Sequence, residues 1–367
     1  MRTASINDEI YKMAPCLTEG PYAESARTLV ASSEELGTSP FASTLRAWSV
    51  WYIFDLMERI FADQSEPVSE VNEGLENLTR FLRSAAELGF DKISLPLSAE
   101  PNGTSTNGNV KHVTGEHYGQ LFKNFSDRSY WDEPAELLKQ RLERNGLPLE
   151  GIANKSVLDA GCGGGRYSVA WRLLGATPVT GLDISPINVG DANRRVQETG
   201  FEGVSFKEGD VLEIPFEDAQ FDIVFSNGVL HHTTDWEKGV AELVRVMKPG
   251  GLGWLYLIED PGGLFWDMIE VLRAMLRNEN KADMRAALGS LHIPANRIFY
   301  MLDHVMVPIN VRLTPETIAG ALKDAGATNI RRLERGCDFD RVEHIHRDGP
   351  YARQYFGVGE NRFVFSK

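Results

Sequence analysis

Apolar side chains recur at helical spacing through the first hundred residues. Between Leu45 and Ala62, Trp48, Trp51, Tyr52, Leu56, Ile60 and Phe61 fall near three- and four-residue intervals, with Asp55, Glu58 and Arg59 largely on another face. That pattern predicts an amphipathic helix. Val71–Leu88 repeats it with Leu75, Leu78, Leu82 and Leu88, and runs into Gly89, a residue suited to ending a helix. Ser98–Asn109, small, polar and glycine-bearing, reads as a linker.

From Ser156 the rhythm changes. Short apolar runs at Ser156–Asp159, Pro178–Asp183, Val204–Glu208, Phe221–Ser226 and Gly253–Ile258 predict strands. They alternate with helical patterns over Tyr167–Leu174, Pro186–Thr199 and Trp236–Met247, and Lys248-Pro-Gly-Gly reads as a turn. This alternation predicts βαβ units and a parallel sheet covered on both faces. Residues 262–313 interrupt it with a helical stretch rich in Met, Trp and Phe. Thr314-Pro then opens a helix ending near Gly326, and Asn329–Leu333 and Arg362–Phe365 are closing strands. The expected organisation is a helical region over 1–97, a linker over 98–111, and an α/β domain over 112–367 with 262–313 as a helical insertion.

Composition narrows the function. The 38 Lys and Arg stand against 52 Asp and Glu, a formal charge of −14, with no basic run to offset it. Such a surface repels phosphate backbones, so nucleic acid and anionic membrane are not expected partners. Three scattered cysteines, Cys16, Cys162 and Cys337, make neither a disulfide framework nor a zinc site, and no metal is expected. The polar N-terminus and the lack of an apolar run of about 18 residues give a cytoplasmic expectation.

The strongest chemical signal is Val157-Leu-Asp-Ala-Gly-Cys-Gly-Gly-Gly-Arg166. Glycines between a strand and the next helix let backbone amides approach a ligand. Asp183 ends the next strand, 22 residues after Gly161, where it can accept from ribose hydroxyls; Asp210, after the third strand, can accept from an adenine amino group. A nicotinamide dinucleotide fits poorly, because Arg166 stands where its fingerprint needs a third glycine and Asp159 would face a pyrophosphate. A cationic sulfonium with an amino-acid tail would welcome that carboxylate, which points to S-adenosylmethionine.

VLDAGCGGGRY (157–167), VTGLDIS (179–185), EGDVLEIPFEDAQFDIVFSNGVLHH (208–232) and ELVRVMKPGGLGWL (242–255) together resemble class I S-adenosylmethionine-dependent methyltransferases, of the branch typified by ubiquinone and menaquinone biosynthesis. The resemblance implies a Rossmann-like, seven-stranded, mostly parallel sheet with an antiparallel last strand. It also implies that Gly161 and Gly163 pass beneath the methionine portion and that Asp183, with Ile184 beside it, holds the ribose. Asp210 and Val211 would frame the adenine, and Asn227 and Gly228 would lie near the methionine moiety. Relatives often use an aromatic segment like Glu116–Phe125, with Tyr130-Trp131 soon after it, as a lid, which would make Tyr118 a further cofactor contact; the alternative is an amphipathic helix packing Tyr118, Leu121, Phe122 and Phe125 into a core.

His231, ahead of His232, is a candidate general base, and His304 is a second. Phe265, Trp266, Met268, Met275, Phe299, Tyr300, Met301 and Met306 are candidate acceptor-pocket material, with helix core or a dimer face as the plainer reading. The expected function is methyl transfer to O, N or S of a small-molecule acceptor. A carbon methyltransferase of quinone type and a non-catalytic S-adenosylmethionine-binding regulatory protein are the alternatives. The N-terminal helices could cap the acceptor or pair two copies of the chain.

Overall fold

The computed structural model describes residues 15–89, 127–337, 340 and 349–367. Three helices come first: α1 (Ala23–Glu35), α2 (Pro40–Asp63) and α3 (Pro67–Glu87). The Ser39 hydroxyl accepts from the Ala42 amide and Pro40 takes the first helical position, so α2 starts where its sequence permits. Its core face is Val50, Ile53, Phe54, Met57 and Ile60. The expected aromatic face is displaced from this core. Trp48 lies 4.5 Å from Phe81 and 5.3 Å from Tyr52, centroid to centroid, in a stack whose Trp48 and Tyr52 are half-buried and whose Phe81 is exposed.

Next come α4 (Asp127–Arg144), β1 (Val157–Ala160), α5 (Arg166–Leu173), β2 (Val179–Asp183), α6 (Pro186–Thr199), β3 (Val204–Glu208) and β4 (Phe221–Asn227). Then follow α7 (Trp236–Val246), β5 (Met247–Leu257), α8 (Gly263–Leu276), α9 (Lys281–Ser290) and α10 (Ala295–Val305). The described chain closes with α11 (Pro315–Asp324), β6 (Thr328–Arg332), α12 (Ala352–Phe356) and β7 (Asn361–Ser366).

These elements divide into two compact units. The helical unit holds residues 1–105, 262–307 and 349–357, and the sheet unit holds 106–261, 308–348 and 358–367. The 262–313 stretch therefore does not belong wholly to the α/β domain in which the sequence placed it. Up to Val307 it clusters with the N-terminal helices, because α8 is buried along nearly its whole length within that unit. Pro308–Leu313 returns to the sheet. Among the described residues, no helix is long and apolar enough to cross a membrane.

The sheet runs β3-β2-β1-β4-β5-β7-β6. The first five strands are parallel, and β7 is antiparallel to both β5 and β6. The chain winds outward from β1 to β3 and then returns to β4 on the other side of β1. That reversal opens a crevice at the carboxyl ends of β1 and β4. One face is packed by Leu158, Leu182, Val224 and Leu255 under α7 and α11, the other by Val157, Ile223, Phe225 and Trp254 under α4 and α5. The expected turn at Lys248–Gly251 is instead an irregularity within β5. Phe221 pairs with Met247 and Ile223 with Leu252, so the intervening residues bulge out. Gly250 takes φ +74°, and a Cβ at Gly251 would lie 2.9 Å from the carbonyls of Asp222 and Lys248.

Candidate active site

The chain leaves β1 through Gly161, Gly163 and Gly165, all at positive φ, and enters α5. A Cβ at Gly161 would fall 2.4 Å from a Val229 methyl, so the strand end approaches β4 as closely as it does because no side chain intervenes. The Gly161 and Cys162 amides donate to the Leu182 carbonyl, and further bonds pin the loop. The Gly163 amide donates to Asp183 Oδ2 at 2.8 Å, and the Gly164 carbonyl accepts from the Tyr130 hydroxyl at 2.5 Å.

Asp183 also accepts from the Ser185 amide at 2.9 Å and from Asn188 Nδ2 at 3.1 Å, both at Oδ1. A carboxylate offers about four acceptor positions, so one is left for a ligand. Burial raises its pKa, and these three donors oppose the rise. Asp159 is held differently. Among the described residues its donor is Ser168, whose hydroxyl lies 2.6 Å from Oδ2. Burial pushes Asp159 up to about 7, with the Ser168 bond opposing and the nearby Asp183 charge adding to the rise. Asp210 accepts from the Leu212 amide at 2.9 Å. Burial, reinforced by Asp183 and Asp159, drives the Cys162 thiol well above its ordinary pKa, which removes thiolate chemistry from the loop.

Asp159, Asp183 and Asp210 line one cavity together with Gly161, Gly163, Ile184, Val211, Asn227 and Gly228. Tyr118, with the whole Glu116–Phe125 segment, lies outside the described residues. Arg166, Tyr167, His232 and Ile309 complete the wall where it matters for chemistry.

The two adjacent histidines part company here. His231 is 2% exposed and does not line the cavity. Its Nδ1 accepts from the Ile258 amide at 3.2 Å, so the neutral ring carries its proton on Nε2 and has no lone pair to offer there. His232 does line the cavity, and its Nδ1 lies 2.8 Å from the Ile309 carbonyl. A carbonyl can only accept, so Nδ1 holds the proton and the lone pair of the neutral ring is on Nε2. The order of preference between the pair is thereby reversed from the sequence expectation. His304 belongs to the helical unit. Its ring lies 4.6 Å from Tyr300, 5.5 Å from Phe265 and 5.6 Å from Trp266, and its Nδ1 donates to the Tyr300 carbonyl at 2.7 Å.

The sequence reading passed over Tyr167, Ser168 and Ile309. The first two carried a signal, since the first turn of a helix following a glycine loop necessarily faces the strand ends. Ile309 carried none, because it reaches the wall through the long return from the helical unit.

A switch-point crevice lined by three carboxylates, with Arg166 and no lysine among its described lining residues, defines a doubly wound α/β protein with its ligand site at the carboxyl ends of the strands. Residues 158–255 match the family model described as a methyltransferase domain. The chain is 33% identical over 153 residues to 27-O-demethylrifamycin SV methyltransferase of Amycolatopsis mediterranei, covering 40% of this chain and 56% of that protein. It is 33% identical over 152 residues to an uncharacterized methyltransferase of Synechocystis sp., covering 40% and 69%. Against malonyl-acyl-carrier-protein O-methyltransferase of Erwinia billingiae it is 29% identical over 197 residues, covering 50% and 68%. The match thus spans between about half and two thirds of these relatives. The chain belongs to the class I S-adenosylmethionine-dependent methyltransferases.

Proposed function

We propose that this protein methylates an oxygen of a small hydroxyl-bearing molecule. The observation that carries the reading is the fixed tautomer of His232, a cavity-lining imidazole whose lone pair is on Nε2 because its Nδ1 donates to Ile309. A hydroxyl is a poor nucleophile until its proton is taken, whereas a thiol ionises more readily. The names of two relatives describe methylation at oxygen, which supports the choice of atom.

The family's cofactor supplies a sulfonium whose methyl carbon is open to in-line displacement. The acceptor set suits it: Asp183 keeps one acceptor position for a ribose hydroxyl, and Asp159 would meet the ammonium. Asp210 and Val211 would frame the adenine, with Ile184 beside the ribose. His232 would take the acceptor's proton on Nε2 as the oxygen forms its bond to carbon, and Ile309 would hold the ring's orientation as charge develops on it. Asn227 and Gly228, at the end of β4, set the floor on which the two reactants meet.

The test is transfer of a labelled methyl group from S-adenosylmethionine to a panel of small phenols, alcohols, amines and thiols. Label recovered as methyl ether is the expected result. Recovery solely on nitrogen, sulfur or carbon would overturn the oxygen reading, and no transfer at all from a protein that binds the cofactor would favour a regulatory role.

A further inference from the structure

Three acids dominate the cavity, yet the proposed cofactor is a zwitterion whose tail carries a carboxylate as well as an ammonium. That carboxylate needs donors. We propose that Tyr167 donates to it and that Arg141, held by Asp340, is the positioning residue that makes this possible. The inference rests on reading the cavity as the cofactor site.

The geometry begins with a hydrogen bond of fixed direction. Tyr167 lines the cavity, and Arg141 Nη1 donates to its hydroxyl oxygen at 2.6 Å. A guanidinium can only donate, so the phenol serves as acceptor there and its own hydrogen is directed elsewhere. Donation from a cation also polarises the phenol and strengthens it as a donor. The ring is kept in place by Phe225 at 5.4 Å and by the guanidinium, 5.9 Å from the ring centroid.

Behind Tyr167 stands an arrangement more elaborate than one tyrosine needs for packing. Arg141 grips Asp340 with both arms of its fork, at 2.8 and 2.7 Å. Arg362 and the Cys337 amide also donate to Asp340, at 3.0 and 2.9 Å. Arg141 and Asp340 are both buried. Arginines on either side hold Asp340 far below the usual carboxylate range, so the anchor stays charged. A buried bidentate pair defines the direction of the remaining guanidinium arm, and here that arm points at the cavity wall.

Chain order supplies the second half of the case. Tyr167 and Ser168 are consecutive residues in the first turn of α5. Ser168 donates to Asp159, the acid placed to meet the ammonium. One helical turn would thus serve both ends of the amino-acid tail, with Arg166 and the positive end of α5 beside the carboxylate.

The test uses two ligands that share adenosine and sulfur. S-adenosylhomocysteine carries the amino-acid tail and 5′-methylthioadenosine lacks it. Both are titrated calorimetrically, the weaker by displacement, against the full-length chain and its variants. Tyr167→Phe is expected to weaken S-adenosylhomocysteine about tenfold or more, the scale of a hydrogen bond to a charged group, and to leave 5′-methylthioadenosine within about twofold. Arg141→Lys keeps the charge but loses the fork, and should weaken the first ligand selectively by a smaller factor. Asp183→Asn is the control, because it should weaken both ligands. Equal losses for both ligands in Tyr167→Phe, or no loss in either, would overturn the assignment. Wild-type protein that bound neither ligand would overturn the cofactor reading itself, which is a separate result.

Discussion

The half of the cavity built by β1 to β3 and the half built by β4 with Pro308–Leu313 are held together by different means. In the first, the groups that matter are carboxylates, and backbone amides hold two of them: Gly163 and Ser185 on Asp183, Leu212 on Asp210. Those amides are where the glycine loop and the strand-to-helix turns put them, so the site comes with the fold. In the second half the group that matters is the ring of His232, and what orients it is the carbonyl of Ile309, 77 residues away. A site that depends on a distant carbonyl depends on tertiary structure. The first half is accordingly the part shared by nucleoside-binding sheets, and the second is free to differ from one acceptor to the next.

The sharpest way to break this contrast is to exchange the effects of the two histidines. His232→Ala should lower methyl transfer to a hydroxyl acceptor by roughly 10²–10⁴-fold, the usual worth of a positioned base, while S-adenosylhomocysteine affinity holds. His231→Ala should do the reverse. It strands the Ile258 amide and leaves a buried void, so the thermal midpoint falls by several degrees while turnover changes little. Equal turnover losses in both variants would mean that the pair acts as a unit and that the tautomer argument fails.

On the carboxylate side, Asp183→Ala should weaken S-adenosylhomocysteine by about 1.5–3 kcal/mol, roughly 10–150-fold, if its remaining acceptor position meets ribose. It also releases the Gly163 and Ser185 amides, whereas Asp183→Asn, whose NH2 cannot accept, keeps one of those two bonds and removes the charge. Affinity unchanged in both variants would move the ribose elsewhere.

Legibility in the sequence follows the same division. Val204–Glu208 and Pro186–Thr199 have the boundaries expected of them, because apolar period and a Ser-Pro helix start are local signals. Nine of the ten expected cofactor contacts share one cavity because they sit at four strand ends whose positions the sheet dictates. What escaped was set over long range. The sequence could not separate the rings of His231 and His232, because both occupy one short turn and their environments come from Ile258 and Ile309. On α2 the expected Leu56 and Ile60 are in the core, but Trp48 and Tyr52, which count as apolar in a periodicity, stack half-buried beside Phe81. Arg141 and Asp340, 199 residues apart, carry no local signal that the fold buries them together.

A subtler expectation concerns Asp159 and Asp183, which share a cavity but not a proton affinity. With its pKa near 7, against about 3.9 in an unfolded chain, Asp159 binds more protons when folded. Its contribution to stability is therefore greatest at low pH and is lost as pH rises from about 4 through 7. A cofactor ammonium that demands the ionised form would expel up to about half a proton per molecule bound at pH 7, and less by pH 8. Calorimetry in two buffers of different ionisation enthalpy reads that release directly. Asp159→Asn should abolish it, and an identical proton count in the variant would assign the release to another group.

The smallest effect belongs to the helical unit. His304 is surrounded by Tyr300, Phe265 and Trp266, and its Nδ1 donates to a carbonyl of its own helix, one turn back. Those contacts account for the ring as packing. His304→Ala removes edge and face contacts with several aromatics, each worth about 0.5–1.5 kcal/mol, from a site where neighbouring rings can partly close the gap. A net stability loss of about 1 kcal/mol and methyl transfer within twofold of wild type are the expected readings. A rate loss on the scale of His232→Ala, at unchanged stability, would return His304 to the chemistry and make the helical unit part of the catalytic apparatus.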